Sequence, residues 1–264
     1  MLPVRLLDRL EPFPSSLLQR HSNMTLSADT LKKLRQYDTP TICNLIELFD
    51  VRPRNTGFMD SRIRACFPDL PPMVGFAATA AFRSDAPPMG GDAYGDLVDQ
   101  VEALGQLPGP AVMVFEDLDN PPVGATFGEV MCSVYQGFGS VGLVTSGGGR
   151  DLLQVKALDY PVFTSSTICA HAYCHILHLG LPVRVGGLTV RPGELLHGDA
   201  NGVTSVPIEI ASEVADLAGP FIEAEKILID YVRGPGPKTP IGLAKRRDEF
   251  QAAIERLRRQ ARGE

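Results

Sequence analysis

Residues 111–151 read AVMVFEDLDNPPVGATFGEVMCSVYQGFGSVGLVTSGGGRD. The stretch opens with an apolar run at 111–115 and contains a second at 142–145, and both have the length and composition of buried strands. Between them, residues 129–135 place apolar side chains at helical spacing. A strand, a helix and a second strand in this order predict an α/β unit, and an Arg-Asp pair follows it after a run of glycines.

The same alternation extends to both sides of this unit. Helical spacing predicts helices from residue 27 onward, over 92–104, over 152–158 and over 208–232. Further apolar runs predict strands at 74–82, 161–163, 182–185 and 188–190. The fold class is therefore α/β, and the close spacing of the later strands predicts antiparallel pairs within mixed sheets. Gly186 and Gly187 predict a hairpin turn between two of these strands.

The chain divides into one large domain with an extension at each end. Residues 1–28 read as an arm because prolines interrupt them, and 29–232 form the predicted α/β domain. A linker rich in glycine and proline at 233–242 leads to an amphipathic helix at 243–264. Its basic surplus is compatible with contact to RNA or a membrane surface, but we favour packing on its own subunit or a neighbour.

The composition limits the possible partners. A formal net charge of -6 and a pI near 5.4 argue against general nucleic-acid binding, which needs a basic face. No apolar run reaches the roughly 18 residues that span a membrane. The five cysteines are odd in number and scattered, and the first residues lack a continuous apolar signal. We therefore expect a cytoplasmic protein with reduced cysteines that contacts neither membrane nor nucleic acid.

Glu129, Arg150 and Asp151 are the first candidate site residues. An arginine binds the carboxylate of a keto acid through two hydrogen bonds, and a hydrated Mg²⁺ or Mn²⁺ prefers oxygen ligands such as the Asp151 carboxylate. If Gly128 opens a helix, its first amide groups point at an anion. The alternative is a surface Arg-Asp pair with Glu129 in a first helical turn, and on spacing alone this alternative is the better interpretation.

Several further motifs accompany these residues in a fixed order. They are Val74-Gly75-Phe76-Ala77-Ala78-Thr79, Phe127-Gly128-Glu129-Val130, Gly149-Arg150-Asp151, Val185-Gly186-Gly187-Leu188-Thr189-Val190-Arg191-Pro192-Gly193 and Gly198-Asp199-Ala200-Asn201-Gly202-Val203. With them, the chain resembles the RraA-like family over about residues 31–232. That family includes 4-hydroxy-4-methyl-2-oxoglutarate aldolases and oxaloacetate decarboxylases.

The resemblance implies a three-layer β/β/α swivelling-type domain with mixed sheets. It further implies a homotrimer, or a homohexamer built from two trimers, with active sites at subunit interfaces. The backbone amides of Gly128, Val130 and Met131 would complete a site for the substrate carboxylate.

The resemblance also assigns side-chain roles. Arg150 would hold the pyruvyl carboxylate and carbonyl, and Asp151 would position the divalent metal, largely through waters. Glu129 would help to organise metal-bound water. An acid of a neighbouring chain, which aligns loosely with Glu225, would assist proton transfer.

The function implied is that of a divalent-metal-dependent lyase. It would cleave a C–C bond of a 2-keto acid with a further carboxylate, through a pyruvate enolate that the metal and the arginine stabilise. The reaction would be a retro-aldol cleavage of the 4-hydroxy-4-methyl-2-oxoglutarate type, oxaloacetate decarboxylation, or both. The alternative is a non-catalytic trimeric regulator that binds a partner protein such as a ribonuclease.

Several residues depart from the family pattern, among them Phe127, where the family often has tryptophan, and Asn44, where many members have aspartate. Asn201 replaces an aspartate, which removes one charge from its loop. Residues 146–149 are one serine and three glycines, and we expect this run to be flexible and to weaken the positioning of Arg150.

The remaining histidines and cysteines are weaker candidates. On a helix, His171, Cys174, His175 and His178 would share a face that could bind Zn²⁺, whereas Cys169 would not join them. We favour pocket lining or core packing for this segment, because four ligands on one helix spread over about two turns. His197, near the Gly-Asp turn, is interpreted as a hydrogen-bonded structural histidine rather than a site residue.

Overall fold

The computed structural model describes residues 26–88 and 97–264. Within these ranges the chain forms a mixed α/β fold. The helices are α1 (Ala28–Leu34), α2 (Thr39–Phe49), α3 (Leu97–Leu104), α4 (Glu129–Gly137), α5 (Leu152–Ala157), α6 (Ala211–Arg233) and α7 (Pro240–Arg262), with a 3-10 turn at Ile208–Ile210. The strands are β1 (Arg64–Ala65), β2 (Met73–Arg83), β3 (Ala111–Asp117), β4 (Ala125–Phe127), β5 (Ser140–Thr145), β6 (Gly148–Gly149), β7 (Val162–Thr164), β8 (Ser166–Thr167), β9 (His175–Leu179), β10 (Val183–Val185), β11 (Leu188–Val190), β12 (Leu195–Asp199) and β13 (Gly202–Val206).

The main sheet has the strand order β1-β7-β5-β3-β2-β12-β13, and β9 also pairs with β2. The β2, β3, β5 and β7 neighbours are parallel, whereas β12 and β9 run antiparallel to β2. Ten of the eleven residues of β2 are buried, as expected of a central strand covered on both faces.

Three layers follow from the alternation of side chains along β2. Val74 and Phe76 point to one face, where they pack with residues of α1, α2 and α6. Ala77 points to the other face, where the β10–β11 hairpin covers it with Val183 and Val185. Helices, main sheet and hairpin thus form the predicted β/β/α arrangement. A small parallel sheet of β4, β6 and β8 lies beside them.

The predicted elements of the domain are present with shifted ends. The Gly186-Gly187 turn joins β10 to β11 with φ of 53° and 77°, which confirms the predicted hairpin. The β10–β11 and β12–β13 hairpins confirm the expected antiparallel pairs. The predicted helix over 92–104 is observed from Leu97 to Leu104, and residues 92–96 lie outside the described residues, as do residues 1–25 of the arm.

The C-terminal helix packs against its own chain. It begins at Pro240 and α6 extends to Arg233, so the connection between them is shorter than the predicted linker at 233–242. Leu257 is only 8% exposed and packs into the core formed by α1, α2 and α6, and Ala253 is also buried. Among the described helices, none is long and apolar enough to cross a membrane.

Candidate active site

Two neighbouring strands of the small sheet bring the Gly128 and Arg150 segments together. β4 and β6 are parallel, so the residues that follow them emerge at the same edge. Gly128 follows β4, and Arg150 follows β6. The Arg150 amide donates to the Phe127 carbonyl at 3.1 Å, which fixes the two segments side by side.

Asp151 links the starts of α4 and α5. Its backbone is left-handed, with φ 54° and ψ 38°, and it forms the N-cap of α5. Its Oδ2 atom accepts a hydrogen bond from the Glu129 amide at 3.1 Å and lies 3.7 Å from Arg150 Nε. A non-glycine residue in this conformation carries strain of about 1–3 kcal/mol, although aspartate tolerates it better than most residues.

Gly128 permits this close approach. An added Cβ atom would collide with Asp151 Oδ2 and would lie 3.2 Å from Arg150 Cγ. The φ of Gly128 is −151°, which any residue can adopt, so glycine is required here for space and not for conformation.

The glycines before Arg150 are closely packed. A Cβ atom on Gly149 would collide with the Phe127 ring, and one on Gly148 would lie 2.9 Å from Ile168. Both glycines are buried in β6. Glycine is therefore required here for space, because it lets three short strands pack tightly against their neighbours, and the expected flexibility of the run stays a prediction.

The start of α4 faces the same site. Gly128 is the N-cap and has no side chain to cap the first turn. The amide groups at the start of a helix have no partner within the helix, so those of Val130 and Met131 point beyond its first turn. The helix dipole adds a partial positive charge at this end.

A narrow cleft opens beside Arg150, with a cavity volume of about 30 Å³. Arg150 and Asp151 keep about a third of their side chains exposed, at 32% and 40%. The residues that line the cleft come from α3, α4 and four strands or their ends. They are Leu97, Gln100, Phe115, Ala125, Thr126, Phe127, Gly128, Met131, Arg150, His171, Cys174 and Ile176.

Glu225 lies away from this cleft within the same chain. It is on α6, where burial and the nearby Asp38 carboxylate raise its pKa. A role for Glu225 at the site therefore requires a second subunit, as the resemblance implied.

Asp117 is an unusual acid that the sequence analysis missed. Its amide donates to Ser146 Oγ at 2.8 Å, and its Oδ1 atom accepts from the Asp119 amide at 2.8 Å. Its Oδ2 atom is buried without a hydrogen-bond partner among the described residues. Burial raises the pKa of Asp117 to about 6, and the Asp119 and Asp85 carboxylates add to this effect.

The histidine and cysteine segment is not helical. His171 and Cys174 lie in turns, and His175 and His178 lie in β9. The helical face on which the zinc alternative depended is therefore not formed, and no three metal-binding side chains cluster within 26–88 or 97–264. His171 and Cys174 line the cleft, as expected for pocket lining.

His197 and Asp199 hold α2 in place. His197 is fully buried, with Nδ1 3.0 Å from Thr39 Oγ1 and Nε2 3.1 Å from the Leu34 carbonyl. These contacts confirm the structural interpretation, and burial lowers the pKa of His197. Asp199 accepts the Thr39 amide at 2.9 Å and the Asn201 side-chain amide at 3.2 Å. Asn201 thus donates to Asp199 where an aspartate would repel it.

The Asp151 carboxylate is the donor that a divalent cation would use at this site. Asp151 offers an exposed carboxylate with one oxygen anchored by the Glu129 amide. Mg²⁺ is commonly held by one or two carboxylates, with waters and substrate oxygens as its other ligands. The site fits such a hydrated ion.

Comparison with known proteins gives consistent results. The model of the RraA-like family, described as Aldolase/RraA, matches residues 39–205. A proposed 4-hydroxy-4-methyl-2-oxoglutarate aldolase of Halalkalibacterium halodurans is 32% identical over 117 residues, which are 44% of this chain and 55% of that protein. The chain thus spans about half the length of this curated relative.

Two solved structures share the fold. An uncharacterised protein from Pseudomonas syringae has a TM-score of 0.65 at 21% identity, covering 84% of this chain and 94% of that one. RraAS2 of Streptomyces coelicolor, described as an unusual member of the RNase ES inhibitor RraA family, has a TM-score of 0.60 at 20% identity. That alignment covers 80% of this chain and 98% of RraAS2.

Proposed function

The chain belongs to the RraA-like family, and on this premise we propose that it is a divalent-metal-dependent lyase. It would cleave a C–C bond of a 2-keto acid through a pyruvate enolate. The observation that carries the proposal is that Arg150 and the start of α4 both lie next to Asp151. The Oδ2 atom of Asp151 accepts a hydrogen bond from the Glu129 amide and lies 3.7 Å from Arg150 Nε.

Arg150 supplies the permanent positive charge of the site. A guanidinium group donates two parallel hydrogen bonds to a carboxylate, or one each to a carboxylate and a neighbouring keto oxygen. The keto oxygen gains negative charge as the enolate forms. Arg150 would therefore bind the transition state more strongly than the substrate, which is the requirement for catalysis.

The start of α4 provides the second half of the carboxylate site. The amide groups of Val130 and Met131 would donate to the substrate carboxylate that Arg150 also binds. Because Gly128 lacks a Cβ atom, the Asp151 carboxylate can lie beside this backbone.

Asp151 would hold the divalent cation, and Glu129 would stand beside it on the first turn of α4. When bound, Mg²⁺ or Mn²⁺ supplies a Lewis acid that favours the enolate form of the keto acid. The Glu129 amide keeps the Asp151 carboxylate at a fixed position, which reduces the reorganisation that binding requires.

Proton transfer at the substrate carbon needs an acid or base as well as Arg150 and the metal. The pKa of Glu225 is raised, which suits a general acid or base. We propose that Glu225 of a neighbouring subunit serves this role in a homotrimer or a pair of trimers.

The alternative is a non-catalytic regulator that binds a partner protein. Such a protein needs an accessible surface but not a strained aspartate held beside an arginine. The close packing of Asp151 and Arg150 around Gly128 therefore favours the lyase.

The test is pyruvate release from oxaloacetate, 4-hydroxy-4-methyl-2-oxoglutarate and 4-hydroxy-2-oxopentanoate, with Mg²⁺, with Mn²⁺ and with EDTA. We expect metal-dependent release from at least one of them, and its loss in Arg150→Ala. Arg247→Ala, at an exposed position of α7, is the matched control and should retain full activity. Release that is indifferent to both EDTA and Arg150, or no release at all, would reject the lyase.

A further inference from the structure

We propose that the substrate of this cleft carries a compact, uncharged tail beyond its keto group, and not a second carboxylate. This inference rests on the proposed function, because it takes Arg150 as the anchor of the pyruvyl group. It differs from the expectation drawn from the family resemblance, which favoured a keto acid with a further carboxylate.

The cleft begins where the pyruvyl group would be anchored. Arg150, Gly128 and Met131 belong to its lining, and they are also the residues that would hold the keto acid. A substrate seated on Arg150 and the start of α4 therefore has its remaining atoms next to this space.

The inner part of the cleft is apolar. The buried side chains of Phe115, Phe127 and Ala125 line its inner end, and the partly buried Leu97 and Ile176 line its sides. Two of the polar side chains among them make contacts within the chain: Gln100 Oε1 accepts from the Tyr135 hydroxyl at 2.5 Å, and Thr126 Oγ1 lies 3.1 Å from Thr145 Oγ1.

Arg150 is the one permanent cation among the described lining residues. Residues 89–96, which precede the lining residue Leu97 in the chain, contain no lysine or arginine. The nearby Arg83 is engaged by Asp119 at 3.4 Å and by Asp85 at 3.8 Å. His171 is the other basic group of the lining, and its Nδ1 lies 2.7 Å from the Ala172 carbonyl oxygen.

A second carboxylate in this space would lose its hydration, and Arg150, the one permanent cation among the described lining residues, already binds the pyruvyl group. An ionised group in apolar surroundings is strongly disfavoured unless it is paired. A methyl or ethyl group would instead be stabilised by contact with the aromatic and aliphatic walls, at about 0.8 kcal/mol per buried CH₂ in general. The cleft should therefore select the alkyl tail.

The reaction can be written for a matched pair of substrates. In 4-hydroxy-2-oxopentanoate the C3–C4 bond breaks, its electron pair forms the pyruvate enolate, and the C4 hydroxyl gives up its proton. Acetaldehyde leaves, and a proton added at C3 yields pyruvate. In 4-hydroxy-2-oxoglutarate a carboxylate replaces the terminal methyl group, and the same steps yield glyoxylate and pyruvate.

The test compares kcat/KM for these two substrates in the full-length protein with Mg²⁺. We expect the methyl-tailed substrate to be preferred at least about tenfold, the ratio expected when one partner of a charged pair is missing. Binding provides a second readout, because 2-oxopentanoate and 2-oxoglutarate differ in the same way. Titration calorimetry should give the tighter dissociation constant for 2-oxopentanoate.

A designed cation should reverse the preference. Met131→Arg places a guanidinium at the partly exposed start of α4, on the cleft wall. It should raise kcat/KM for the carboxylate-tailed substrate about tenfold or more relative to that for the methyl-tailed substrate. Leu153→Arg adds the same charge outside the cleft, at a position that is 83% exposed, and should leave the ratio unchanged.

The outcomes separate this inference from the proposed function. A wild-type preference for the carboxylate tail, or for neither substrate, would overturn the inference. If Arg150-dependent exchange of the pyruvate methyl protons persists in that case, the proposed lyase chemistry stands without it. If this exchange is also absent, both proposals fall.

Discussion

Gly128 determines how closely Asp151 can approach the start of α4. The predicted set of Glu129, Arg150 and Asp151 does come together, although on spacing alone an ordinary surface pair was the better interpretation. Residue spacing cannot reveal that a Cβ atom at Gly128 would collide with the Asp151 carboxylate. The geometry of the site therefore depends on the absence of a Cβ atom at Gly128.

Gly128→Ala should separate activity from stability. The added methyl group would displace the Asp151 side chain from the Glu129 amide, and we expect a loss of about 10- to 100-fold in kcat/KM. The free energy of unfolding should change by less than about 1 kcal/mol, since alanine can adopt this backbone. Gly137→Ala is the control, because a Cβ atom there meets nothing within 4 Å. Equal activity in the two variants would contradict the account.

Asp117 should make stability depend on pH. Its pKa is raised from 3.8 to about 6, so the folded protein holds this proton more tightly than the unfolded chain. The resulting stabilisation is complete below pH 3.8 and is lost as the pH rises through about 6. Asp117→Asn should remove this slope and, above pH 7, raise the free energy of unfolding by about 1 kcal/mol, after allowance for partial solvent screening.

Urea unfolding of the wild type and Asp117→Asn at several pH values from 4 to 8 would measure this effect. Asp248→Asn, at an exposed position of α7, is the control. A difference between wild type and Asp117→Asn that does not vary with pH would show that the Asp117 carboxyl titrates normally. The sequence gives no sign of this residue's state, because the burial of Oδ2 depends on neighbours from other strands.

At the scale of elements, long periodic segments were predictable and short or irregular ones were not. β2, β3 and β5 were visible as apolar runs. β4 and β6 have three and two residues, which is too short for a periodic signal, yet they position Gly128 and Arg150. β9 was not predicted from the sequence. Its pairing with β2 has an irregularity at Ala81 and Phe82, which interrupts the alternation of side chains between the two faces of the strand.

β12 was hidden for a different reason. Its buried residues include His197 and Asp199, which are polar side chains satisfied by partners near α2. A search for apolar runs does not find such a strand. The hydrogen bonds that make their burial possible are visible only after the chain has folded.

The packing of α7 can be tested by a single truncation. Leu257 is 8% exposed in the core shared with α2 and α6, so Leu257→Ala should lower the free energy of unfolding by about 2–4 kcal/mol. Leu243→Ala, at a position that is 45% exposed near the start of the same helix, should change it by less than about 1 kcal/mol. Thermal unfolding of both variants measures the difference. Similar small changes in both would mean that α7 is not part of the folded core.

At the scale of the whole molecule, the proposed site takes its proton-transfer acid, Glu225, from a neighbouring subunit. We predict that sites shared between subunits can be rebuilt from two inactive variants. Co-expressed Arg150→Ala and Glu225→Gln chains would form mixed trimers, in which about a quarter of the sites pair an intact arginine with an intact neighbouring glutamate. Activity should return to about that fraction of the wild type.

The controls for this experiment are the two variants purified separately and then mixed without exchange of subunits. They should remain inactive. No recovery on co-expression of variants that both assemble would place the whole site within one chain.

The most direct test of the central claim is proton exchange at the methyl group of pyruvate. Pyruvate in deuterated buffer is followed by nuclear magnetic resonance with the wild type and Arg150→Ala, in the presence of Mg²⁺ and after EDTA. Exchange requires only the enolate, so it does not depend on the tail of the natural substrate. The account predicts exchange that needs both the metal and Arg150. Exchange at the rate of the buffer alone, with the wild type fully folded and loaded with metal, would contradict it.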